Sequence, residues 1–90
     1  MILGKFRVLG HSMEPYLKQG DEVLALGFLP IKVNNVVVFK HDSKILIKRI
    51  GKISDGKYFL VGDNKGDSLD SRKFGEIKKS DIMGRVVFKL

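Results

Sequence analysis

The chain of 90 residues contains no cysteine. That excludes disulfide staples, thiol nucleophiles and thiolate metal sites, and it leaves the redox compartment undecided. Long apolar runs are missing as well. The longest uncharged stretches, residues 23–31 and 33–39, fall far below the ~18–20 apolar residues that a spanning helix needs. The opening Met1-Ile2-Leu3-Gly4-Lys5-Phe6-Arg7 has neither the charged start nor the apolar stretch of a secretion signal. The expectation is a cytoplasmic protein. Peripheral contact with a membrane surface, or a native anchor that has been removed, stays an open alternative.

Acidic residues are scarce: 10 Asp and Glu stand against 17 Lys and Arg, for a net charge of +7. Such a balance suits nucleic acid, an anionic lipid surface or an acidic partner. The basic residues are scattered among apolar and acidic neighbours, however, and the densest group is Lys78-Lys79 with Arg72 and Lys73 nearby. There is no zinc-finger spacing and no helix long enough to read a groove. The charge is read as a solvated basic surface, with no nucleic-acid partner expected.

Long helical periodicity is a further absence, since no 3.6-residue pattern persists through a dozen residues. Short β-branched and aromatic runs bounded by Gly, Asn and Asp take its place. They predict strands over 5–9, 22–27, 36–40, 45–53, 58–61 and 85–89, with single helical turns at 14–18 and 80–83. Asp42-Ser43 reads as a turn, and Ser54-Asp55-Gly56 as a three-residue hairpin loop with its glycine in the left-handed region. The fold class is mostly β, a coiled sheet or small barrel, in one domain over 1–90. A chain this short buries only about 60% of its unfolded surface, so packing must supply its stability from a thin core.

Three segments carry candidate chemistry. Ser12 sits in Gly10-His11-Ser12-Met13-Glu14-Pro15, where glycine and proline suit a bent loop that presents a hydroxyl. A turn serine or helix cap is the plainer reading of that segment alone. Lys48 lies in Ile45-Leu46-Ile47-Lys48-Arg49-Ile50. Strand alternation puts Leu46, Lys48 and Ile50 on one face and Arg49 on the other. Burial of the ammonium between aliphatic side chains disfavours its charged form. Lowering a lysine from ~10.4 to ~8 costs about 3 kcal/mol, which a sequence selected for stability alone has no reason to accept. The plainer alternative is a lysine whose stem packs while its head reaches water.

The third segment, residues 62–72, holds Gly62-Asp63-Asn64, Ser68 and Asp70-Ser71-Arg72. Taken alone it is a polar loop, and it lacks the acidic spacing of a calcium-binding EF-hand. In support of a serine–lysine pair, Ser68 would bond the amine, and Asp70 with Arg72 would brace the loop, with Asp63 beside them.

In order along the chain, Ser-Met-x-Pro, Gly20-Asp21-x-Val23, Lys48-Arg49-Ile50 and Gly-Asp-Asn…Ser-x-Asp-Ser-Arg resemble the boxes of the signal peptidase I family of serine–lysine peptidases. The likeness runs from about Val8 to Gly84-Arg85-Val86. It implies Ser12 as nucleophile, Lys48 as general base, Ser68 beside the lysine, and Asp70 and Arg72 as supports, on an all-β fold of coiled sheets. Better-known bacterial members often carry an oxyanion-hole serine two residues before the nucleophile. Gly10 stands there in this chain, so the hole would rest on backbone N–H groups, that of Ser12 among them. The ending Gly-Asp-Asn…Ser-x-Asp-Ser-Arg-x-Phe-Gly looks most like the compact nickel-type superoxide dismutase maturation proteases.

The resemblance implies amide hydrolysis through an acyl-enzyme, without metal or organic cofactor. The substrate expected is a precursor polypeptide, bound extended along a strand edge, with apolar pockets lined by Met13, Val36 and Val38 favouring small side chains at the cut. The rivals are a signal peptidase I-type leader peptidase without its anchor, and an idle β-module binding anionic partners. A LexA-type self-cleaving domain would need a cleavable segment upstream, for which the eleven residues before Ser12 leave no room. A histidine base fits poorly, because His11 and Ser12 are adjacent and point apart on extended backbone. His41 shows no carboxylate to orient it. The run 23–31 reads either as a buried strand and turn or as an exposed membrane- or substrate-gripping edge.

Overall fold

The computed structural model describes residues 2–64, 66 and 71–90. Seven strands form one antiparallel sheet: β1 (Ile2–Arg7), β2 (Glu22–Leu26), β3 (Val36–His41), β4 (Lys44–Ser54), β5 (Lys57–Val61), β6 (Ile77–Lys78) and β7 (Ile82–Lys89). Their order is β1-β2-β7-β3-β4-β5-β6. One helical turn, α1 (Ser71–Phe74), and a 3-10 turn at Lys79–Asp81 complete the described elements. The mostly β class read from the sequence is the class observed.

Two tight hairpins make β3, β4 and β5 a meander. His41 pairs with Lys44, and Asp42 and Ser43 between them have φ of 49° and 65°. Ser54 pairs with Lys57, around Asp55 and Gly56 at φ 52° and 73°. Left-handed φ at both central residues defines the type I′ turn, whose twist matches that of the flanking strands. The second loop is thus two residues long rather than the expected three, because Ser54 joins the ladder.

β3 is buried from Val36 through Phe39, as its unbroken apolar run requires of a strand covered on both faces. Val37 and Phe39 enter a core with Ile50, Tyr58, Leu60 and Ile77. Val36 enters a second core with Val8, Met13, Leu17 and Val23. That second core is roofed by the loop between β1 and β2. The loop closes at its base through Val8 N–H to Asp21 O (2.8 Å) and Gly20 N–H to Val8 O (2.9 Å). Met13 and Leu17, 1% and 0% exposed, nail it down. The expected turn at 14–18 is there as Leu17 N–H donating to Met13 O at 2.9 Å.

β7 begins at Ile82, three residues before its predicted start, and the expected turn at 80–83 is instead the 3-10 turn that launches it. The run 23–31 proves to be a strand and turn. Val23 and Ala25 are fully buried, and Phe28 beyond the strand is 60% exposed.

Candidate active site

The buried Met13 fixes its neighbour Ser12 at the inner margin of the loop. Lys48 comes from the middle of β4, opposite Val37 in the register. Its side chain reaches the loop, and Lys48 Nζ donates to Ser12 Oγ at 2.6 Å. Lys48 is 5% exposed and is the one buried charged residue among those described. The face alternation predicted for β4 holds locally: Lys48 and Ile50 are buried, while Arg49 is only partly so.

The two elements that carry the pair are tied together from behind. Arg49 donates to both carboxylate oxygens of Asp63, Nε to Oδ1 and Nη2 to Oδ2, each at 2.8 Å. Its Nη1 donates to Asn34 O at 2.8 Å, and its guanidinium lies 5.0 Å over the Tyr16 ring, a favourable cation–π distance. The next residue, Asn64, holds the serine loop: its N–H donates to Ser12 O at 2.8 Å, and its Nδ2 to His11 O at 3.1 Å. Asp63 and Asn64 therefore form a two-residue clip between the strand of the lysine and the loop of the serine. The hydrogen bond to Asp63, reinforced by that residue's charge and opposed by burial, raises the Arg49 pKa.

Asp63→Ala would leave a partly buried guanidinium without its bidentate partner. Breaking a fully buried pair costs ~3–5 kcal/mol, and solvent screening of this half-buried one reduces the expected loss to about 1–2 kcal/mol. Urea unfolding measures it. An unchanged midpoint would show that the clip contributes nothing to stability.

The serine and lysine line a cleft of about 360 Å³ bordered by residues 7–9, 12–13 and 44–48. Alternate residues of a strand line a space above one of its faces. Here five consecutive residues of β4 do so, which means that the cleft runs along the strand's edge. The register agrees. Residues 44–48 pair with β3 on one side, whereas pairing with β5 starts only at Arg49 opposite Val61. Among the described residues, no strand covers the second edge of that stretch.

The remaining expected site residues divide. Met13 lines the cleft. Val36 and Val38 do not: they are 5% and 0% exposed, inside the sheet, and Ile45, Leu46 and Ile47 stand in the wall instead. Gly10 has φ of 80°, and its N–H donates to Gln19 Oε1 at 3.1 Å. Ser68 and Asp70 lie outside the described residues, and with them the Asp70–Arg72 brace; Arg72 itself falls in α1. The Arg49–Asp63 bond, which sequence reasoning missed, is the brace that is seen. Its signal was an arginine adjoining the candidate base and an aspartate opening the third polar block.

Each histidine has a carboxylate beside it. His11 Nδ1 lies 2.7 Å from Glu14 Oε2. His41 stacks on Phe74, centroids 4.2 Å apart, and does have a carboxylate near it, Asp42 at 3.5 Å, contrary to expectation. No grouping of His, Asp and Glu that would hold a metal occurs among the described residues, and no described helix is long and apolar enough to cross a membrane.

The family model described as signal peptidase, peptidase S26, matches residues 50–90, a span that takes in the clip but neither Ser12 nor Lys48. Signal peptidase I V of Bacillus subtilis (strain 168) is 27% identical over 135 residues, covering 88% of this chain and 80% of the relative. Signal peptidase IB of Staphylococcus aureus (strain Mu50 / ATCC 700699) is 34% identical over 84% of this chain, which spans 37% of that protein. Signal peptidase I of Buchnera aphidicola is 50% identical over 36% of this chain and 10% of its own length. The matched family and the names of these relatives agree with the hydroxyl–amine geometry: the chain is similar to serine peptidases of the signal peptidase S26 family.

Proposed function

We propose that this protein is an endopeptidase that removes an N-terminal segment from a precursor polypeptide, with Ser12 as nucleophile and Lys48 as general base. One observation carries the reading: a lysine 5% exposed with its Nζ 2.6 Å from a loop serine Oγ. Serine is a weak nucleophile until its proton is taken. Neutral Lys48 accepts that proton along the line of the existing contact while Oγ bonds to the scissile carbonyl carbon. The amine, now an ammonium, returns the proton to the leaving nitrogen as the C–N bond breaks. Water then enters, gives its proton to Lys48 and cleaves the ester, restoring the serine. The developing oxyanion needs N–H donors. With the Gly10 N–H engaged by Gln19, the Ser12 N–H is the proposed donor.

The substrate lies extended between residues 7–9 and the open edge of 44–48, adding a strand to that edge through main-chain hydrogen bonds. The narrow apolar wall of Met13 and Leu46 favours small side chains beside the cut. The substrate proposed is the N-terminal extension of a nickel-type superoxide dismutase precursor, supported by the resemblance of the Gly62–Gly75 pattern to those maturation proteases. Leader peptides of the kind signal peptidases I remove are the alternative.

A small activated ester, followed by intact mass, is expected to acylate wild type at Ser12 and to leave Ser12→Ala unmodified. Label on the Ala variant would sink the assignment. Incubation with each class of precursor then separates the two substrate readings, since only the true one is cut at a single bond by wild type and spared by Ser12→Ala.

A further inference from the structure

The cleft is not electrically neutral. Besides Ser12 and Lys48, the cations Arg7 and Lys44 stand among the lining residues, and among the described residues no Asp or Glu lines the cleft. Lys44 opens β4 and is exposed, four positions from Lys48. At ~3.3 Å per residue, that is roughly 13 Å along the strand. Arg7 ends β1, and it contacts the Glu22 carboxylate at the long distance of 3.5 Å, both side chains well exposed. The lining also exposes apolar side chains: Leu9 and Ile45 are 79% and 52% exposed.

We propose that Arg7 and Lys44 select precursors carrying an acidic side chain about four residues from the scissile bond. The inference rests on the peptidase reading above and specifies the substrate it takes. A peptide strand paired with the edge of residues 44–48 advances in step with it, so the residue opposite Lys44 lies four positions from the one at Lys48. Aspartate or glutamate there meets Lys44, in a cleft whose lining also carries Arg7. A lysine there meets like charges, which works against the wrong partner. Both cations are solvent-exposed, so each contact is worth a modest factor, and the pair sets a preference of about threefold to tenfold that weakens as salt screens it.

The test is a peptide series around one cleavable bond, with Asp, Asn and Lys placed in turn at each position from five before to five after it. The expected result is a kcat/KM for Asp about threefold to tenfold above Asn at one position four or five residues from the bond, with Lys below Asn. The advantage should shrink in high salt. In Lys44→Glu, and separately in Arg7→Glu, the ratio of Asp to Lys peptides should fall or invert. That ratio is internal to each variant, so it survives a partial loss of folded protein. A flat scan with ester acylation of wild-type Ser12 intact overturns the acidic preference alone, as does an unchanged ratio in both variants. Absence of acylation in wild type overturns the peptidase reading and this inference with it.

Discussion

Lys48→Met is expected to lower acylation of Ser12 by about 10²- to 10⁴-fold, the usual contribution of a positioned general base, and to leave the fold standing. The amine is 5% exposed, so solvent stabilises its charge poorly and burial favours the neutral form. Methionine has similar length and no charge to desolvate, and replacing a buried ion by an apolar side chain of like volume is commonly neutral or stabilising. Activity and stability should therefore part company: the variant melts no lower than wild type and does not acylate. In wild type, acylation is expected to rise with pH as the amine loses its proton; in the variant the slope is absent. Arg49 does not confuse this profile. Its pKa is raised by the bond to Asp63. A raised group contributes its stability fully below the unfolded value and loses it only as pH climbs through the folded one, beyond the range of the amine. Wild-type rates in Lys48→Met would remove the base from the mechanism.

Phe39→Ala is expected to cost about 3–5 kcal/mol, the range for a buried aromatic truncated to Ala. That is a large fraction of the ~5–15 kcal/mol a small domain possesses. Phe39 is 0% exposed, packs with Val37, Ile50, Leu60 and Ile77, and meets the Phe74 ring at 6.3 Å. It also faces Leu46 in the β3–β4 register, two positions from the lysine. At ~4–8 °C per kcal/mol for a domain of this size, the melting midpoint should fall by at least about 12 °C. A drop of only a few degrees would mean that the core relaxes into the space and that Phe39 is not its keystone.

The strands were legible because their signals are local. Val36-Val37-Val38-Phe39 cannot be other than buried, and Asp42-Ser43 and Asp55-Gly56 are residues that tolerate left-handed φ at little cost. β6, two residues long, has no period to detect, and the early start of β7 at Ile82 was hidden by residues 80–83, which read as a helical turn. The meeting of Ser12 and Lys48 was reached through the ordered motifs, with the lysine's burial supported by its aliphatic flanks. The Arg49–Asp63 bond was not legible. It depends on where β5 ends relative to β4, and that register shifts at Gly51, between Ile50 and Lys52. Val36 and Val38 were misplaced for a related reason: the cleft follows an edge of β4, and sequence patterns report faces rather than edges.

The meander β3–β4–β5 joins strands that are neighbours in the chain, by turns that close almost no loop, and so can form early. The serine is different. It stands 36 residues from its lysine, on a loop rooted beside β2, and β2 is held in the sheet by β7 at the far end of the chain. Serine and lysine are thus brought together when β2 and β7 join the sheet beside the meander. A chain still emerging, or one half unfolded, carries a hydroxyl and an amine that have never met. For a peptidase this is a form of self-restraint: the pair closes only once β2 and β7 are seated in the sheet.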